Sequence, residues 1–102
     1  MILDVAYSVN GVPIRLTDER WEHIVDRKPH ERFDAESVLD TVEQPTYILR
    51  GQSGALVAVK PFGRSKYLHV AYRELTENDG FIITAFTRER VNKRQIIWRE
   101  EN

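Results

Sequence analysis

The chain has 102 residues, enough for one domain and too few for two, and is 41% hydrophobic and 30% charged, the balance of a folded rather than a disordered polypeptide. Its longest apolar run, Ala55 to Val59, is five residues, too short to span a bilayer, and the absence of cysteine excludes a disulfide scaffold, a thiol nucleophile and a zinc ribbon. The net charge of −1 conceals a split: residues 1–45 carry −5 and residues 46–102 carry +4, which reads either as a basic surface for an anion such as nucleic acid or as a scatter of solvated charges.

Residues 2–16 read as two short strands around Asn10-Gly11, a dipeptide that supplies the positive φ of a tight hairpin. Pro13 has no amide to donate, so the second strand is expected at a sheet edge or irregular. Met1-Ile-Leu-Asp-Val has no basic stretch ahead of an apolar one, so no secretory leader is expected and a cytoplasmic location is.

Thr17 is the expected cap of a first helix, with Asp18 and Glu19 at its positive dipole end and Leu16 and Trp21 as a hydrophobic staple. Trp21, Ile24 and Val25 follow helical spacing and predict the buried stripe, and Pro29 predicts an end at Arg27 or Lys28. A second helix repeats the pattern, with Asp34 as cap, Phe33 and Val38 as staple, Val38, Leu39 and Val42 as apolar face, and Pro45 as stop.

The remainder reads as strands: Thr46–Arg50, Ala55–Lys60, Tyr67–Leu75 and Phe81–Thr87, with a last short one at Gln95–Trp98. Gly51-Gln-Ser-Gly54, Gly-Arg-Ser and Glu77-Asn-Asp-Gly80 are the intervening turns. Alternation places Leu68, Val70 and Tyr72 on one side of the third strand and Tyr67, His69, Ala71 and Arg73 on the other. In the fourth it separates Phe81, Ile83 and Ala85 from Ile82, Thr84 and Phe86. The fold class is α+β: one domain over residues 1–102, an N-terminal β-hairpin and two short helices packed on one face of a four-stranded or larger antiparallel sheet.

His23, His30 and His69 have neither metal-ligand spacing nor cysteine partners, so no metal is expected, and no phosphate loop or nucleophile elbow is present, so no cofactor is either. His, Arg, Lys, Thr and Tyr remain. That set suits cleavage of RNA by its own 2′-hydroxyl, which needs an acid, a base and cations around the phosphorane but neither metal nor protein nucleophile. His23 points away from the apolar stripe beside Arg20 and Arg27, an arrangement that fits a phosphate site or an ordinary solvated face. His69 lies on the same side of its strand as Arg73, as a site residue or a packing one, and His30 follows a proline in a loop.

The order of Arg20-Trp-Glu-His-Ile24, Gln44-Pro-Thr-Tyr-Ile48, Val59-Lys-Pro-Phe62, Tyr67-Leu-His-Val-Ala-Tyr72 and Gly80-Phe-Ile-Ile-Thr-Ala-Phe86 resembles the phage and bacterial branches of the barnase–EndoU–colicin–RelE-like nuclease group, from about Leu16 to Trp98. The resemblance implies helices followed by an antiparallel sheet and metal-independent RNase activity of toxin or phage-conflict type, leaving a 2′,3′-cyclic phosphate. It implies catalytic roles for His23 as acid or base, Lys60 as phosphate ligand and Thr84 as orienting hydroxyl. Arg73, Arg88, Lys66 and Arg20 are the candidate substrate-binding residues. The implied partners are RNA and an antitoxin or immunity protein. Two other readings stand beside the enzyme: a non-catalytic nucleic-acid-binding module on the same fold, and an interaction domain, such as a homodimer, joined through the hairpin or an open sheet edge.

Overall fold

The computed structural model describes residues 1–27 and 32–101. Its elements, in chain order, are β1 (Ile2–Tyr7), β2 (Pro13–Thr17), α1 (Asp18–Arg27), α2 (Ala35–Glu43), β3 (Tyr47–Arg50), β4 (Leu56–Pro61), β5 (Tyr67–Thr76), β6 (Asp79–Arg88) and β7 (Ile96–Arg99). The strands form one seven-stranded sheet in the order β1-β2-β6-β5-β4-β3-β7. All neighbours are antiparallel except β2 and β6, which are parallel. The α+β class holds, with a larger and mixed sheet in place of a purely antiparallel one. No helix among the described residues is long and apolar enough to cross a membrane.

The hairpin closes on a three-residue loop. Ser8 N–H donates to Val12 O at 2.9 Å, Gly11 N–H donates to Ser8 O at 2.8 Å, and Gly11 alone takes a positive φ of 78°. β2 is not an edge strand: it lies between β1 and β6, and the edges are β1 and β7. Pro13 is tolerated because it is the first residue of β2, and pairing with β6 begins only at Ile14.

Thr17 caps α1, its Oγ1 accepting from Arg20 N–H at 3.1 Å, and Asp34 caps α2, accepting from Ser37 N–H at 2.8 Å. The buried stripe of α1 is narrower than its spacing predicts: Ile24 is fully buried and Trp21 partly, but Val25 is 45% exposed. A helix of ten residues resting on one line of contact covers only the side chains along that line, and Val25 is turned about 100° from Ile24. On α2, Val38 and Val42 are fully buried and Leu39 packs against them. Each is worth about 1.5–3 kcal/mol of burial. The expected stop at Pro29, the alternative end at Lys28, and His30 lie outside the described residues.

Ile24, Val38 and Val42 form one cluster with Ile14, Leu16, Ala58, Leu68, Val70, Tyr72, Ile82 and Ala85. One face of the sheet is therefore core, and Leu68, Val70 and Tyr72 lie on it as expected. The sides of β6 come out differently. Ala71 pairs with Thr84 but Tyr72 pairs with Ile82, so Ile83 is the extra residue of a β-bulge. Ile82 and Ala85 thus both face the core, while Phe81, Thr84 and Phe86 share the opposite face.

Gly80 has a role other than the turn. β5 continues to Thr76 and β6 begins at Asp79, so only Glu77 and Asn78 connect them. Gly80 already sits in the sheet between Ile14 and Glu74. A Cβ there would lie 2.5 Å from Ile14 Cδ1 and 2.6 Å from Arg73 O, so close approach of the strands requires glycine.

Candidate functional site

On the face away from the core, strand register builds a row across five strands: Phe86, His69, Val59, Tyr47 and Arg99 are successive partners. At the usual strand spacing the row is about 19 Å long. A parallel row holds Thr84, Ala71, Val57 and Leu49, and a third at the far end of β6 holds Arg15, Phe81 and Arg73. This open face is rich in arginine laid on aromatic rings. Arg88 lies 4.8 Å from the Phe86 centroid, Arg99 5.5 Å from Tyr47 and Arg15 5.8 Å from Phe81.

A groove of about 880 Å³ lies here, with His69, Phe86, Arg88, Arg50 and Arg90 in its walls. His69 is only 3% exposed and stacks on Phe86 with ring centroids 5.3 Å apart and planes inclined by 20°. Its Nδ1 lies 3.1 Å from Tyr67 O. A carbonyl only accepts, so Nδ1 carries the hydrogen and Nε2 is the acceptor nitrogen of the neutral ring. Burial is the main force holding the imidazole below its ordinary pKa of 6.5; the Tyr67 carbonyl opposes that shift and the Arg88 charge adds to it. The result is a neutral imidazole at neutral pH, beside a guanidinium, on the floor of an arginine-lined groove.

The expected site residues divide into separate places. Thr84, Arg73 and Arg88 lie on the open face, with Thr84 one row from His69. Lys60 does not: it pairs with Leu68, faces the core side, and its Nζ donates to Asp40 Oδ2 of α2 at 2.7 Å. His23 and Arg20 share a shallow depression on α1 with Thr17 and Glu19. Lys66 lies in the β4–β5 turn, in a small cleft with Arg32, Arg64 and Thr87. The fold does not bring His23, Lys60 and Thr84 into one cleft: Thr84 lies on the open face with His69 and Arg88, Lys60 faces the core side, and His23 lies on α1.

Sequence reasoning passed over His69, Phe86 and Arg50 as a group. His69 lies on the side of Arg73, as strand alternation places it, but its pairing with Phe86 comes from the β5–β6 register, in which irregularities at Leu75 and Ile83 offset one another. Arg50 closes β3 and reaches the groove only because β3 lies two strands from β5. No family model, curated protein or solved structure matches the chain.

Proposed function

We propose that the open face binds RNA and that the His69 groove cleaves it without a metal, by attack of a 2′-hydroxyl on the adjacent phosphate. The observation that carries this reading is the His69 imidazole, with Nδ1 held by the Tyr67 carbonyl, Phe86 beneath it and Arg88 alongside. His69 Nε2 takes the 2′-hydroxyl proton as the 2′-oxygen bonds to phosphorus. The P–O5′ bond breaks, and the departing 5′-oxygen is protonated by solvent in the open groove. Arg88, Arg50 and Arg90 neutralise the phosphorane, and the Arg-over-aromatic pairs offer stacking surfaces for bases. The resemblance to the barnase–EndoU–colicin–RelE-like group supports the same chemistry, with the base on a strand rather than on the helix.

A second reading, RNA binding without turnover, is favoured by the 3% exposure of His69. One experiment separates them: incubate labelled RNA with the chain in EDTA and analyse the 3′ ends. The cleavage reading expects 2′,3′-cyclic phosphate ends, a loss of about 10²–10⁴-fold in rate for His69→Gln, and little change for His23→Ala. Cleavage lost in His23→Ala and kept in His69→Gln overturns the assignment in favour of the helix histidine. Binding without cleavage supports the second reading.

A further inference from the structure

β1 is an edge of the sheet, and of its six residues only Ala6 is buried. Ile2, Leu3, Val5 and Tyr7 are exposed along it, an apolar strip about 20 Å long. Neither lysine nor proline, the residues that ordinarily discourage a further strand, occurs between Ile2 and Tyr7. The opposite edge, β7, is shorter, with four residues that include Arg99.

The amides of Val5 and Tyr7 point away from β2. Val5 N–H donates to Asp4 Oδ1 at 2.8 Å, and Tyr7 N–H donates to Glu43 Oε1 of α2 at 3.2 Å. Their spacing of two residues is that of the donors an edge strand offers to a neighbour. Exposed carboxylates therefore stand where the carbonyls of an eighth strand would accept. Beside them, between β1 and α2, runs a groove of about 610 Å³ with Leu3, Ala35 and Leu39 in its lining. The same lining holds Asp4, Glu36, Asp40 and Glu43 and, among the described residues, no cation; Lys60 reaches Asp40 from outside it.

We propose that β1 is a docking edge for a strand of another protein in which lysine or arginine alternates with aliphatic residues. The incoming carbonyls take the Val5 and Tyr7 amides, and the incoming cations take the carboxylates so released. Val5 and Tyr7 alternate with the buried Ala6 and so face away from α2. The partner's aliphatic side chains fall on their side of the sheet. Its basic ones fall on the α2 side, laying their stems over Leu3 and Leu39 and their charges by Glu36 and Glu43. A second copy of this chain does not fit, because β1 against β1 sets like carboxylates opposite one another. The inference does not depend on the open face binding RNA.

The test titrates the isotope-labelled full chain, by NMR, with a capped octapeptide of alternating Lys and Val. Two controls are a Glu-Val octapeptide of opposite charge and a Lys-Pro octapeptide, which keeps the charge but cannot pair as a strand. The Lys-Val peptide is expected to shift the amides of residues 3–7 and to slow exchange at Val5 and Tyr7 by about ten-fold. The controls are expected to do neither. Asp4→Lys and Glu36→Lys, both exposed substitutions, are each expected to weaken binding by about ten-fold. No binding, equal binding of either control, binding without protection of Val5 and Tyr7, or affinity retained in both folded variants overturns the proposal. Sedimentation of the chain alone that shows self-association through residues 2–7 overturns it in favour of a second copy.

Discussion

Lys60 and His69 stand one step apart in the β4–β5 ladder yet face opposite sides of the sheet: His69 pairs with Val59, and Lys60 pairs with Leu68. The lysine is drawn to Asp40 on α2, and the histidine looks onto the open groove beside Arg88. The lysine and the histidine are thus separated by the thickness of the sheet.

Lys60→Ala is accordingly expected to leave RNA binding within two-fold of the parent, while Arg88→Ala weakens it by about ten-fold and lowers its salt dependence by close to one charge. The Lys60–Asp40 pair is partly exposed, so its removal should cost less than about 1 kcal/mol. Fluorescence anisotropy at several salt concentrations, with denaturant unfolding of the same variants, checks both numbers.

His69 gives the protein a defined pH response. Its folded pKa lies below the 6.5 of the free side chain, so between the two values the unfolded chain binds more protons than the folded one. Stability from this group is fully present above pH 6.5 and is lost as pH falls from there through the folded pKa. In His69→Phe the slope of unfolding free energy against pH should flatten in that window. If the imidazole is also the base, cleavage is flat above pH 6.5 and falls below the folded pKa.

Tyr72 is fully buried and its hydroxyl has no hydrogen-bond partner among the described residues. Burial, with Glu74 nearby, pushes its pKa upward, so the phenol stays protonated. Tyr72→Phe removes an unpaired polar group without changing the packing volume much. Unfolding is expected to show an unchanged or increased stability, by up to about 1 kcal/mol. A loss of more than that would mean a partner for the hydroxyl.

Gly80→Ala should be among the most destabilising single-methyl additions in the chain. The new carbon would meet Ile14 Cδ1 and the Arg73 carbonyl well inside contact distance, and the carbonyl belongs to the backbone and cannot rotate away. A cost of about 1–3 kcal/mol is expected by thermal or denaturant unfolding, with loosening of the β2–β6 junction in hydrogen exchange.

What the sequence by itself determined about this protein is local. The Thr17 and Asp34 caps, the Gly11 hairpin, the Val38/Val42 face and the Leu68/Val70/Tyr72 face follow from neighbours within a few residues, where capping, φ preference and periodicity act. What only the tertiary structure decided is long-range: that β2 runs parallel to β6 in the interior, that β7 returns to pair with β3, and that the bulge at Ile83 puts Phe81 on the same face as Thr84 and Phe86. A bulge and a strand order leave no periodic mark in the chain, because they are set by which residues lie opposite one another, and partners here are often tens of residues apart. The candidate site is made of those partnerships. Arg88 and Thr84 were legible as residue types on a strand, but their company with His69, and the separation of Lys60 from all three, arise only when the sheet assembles.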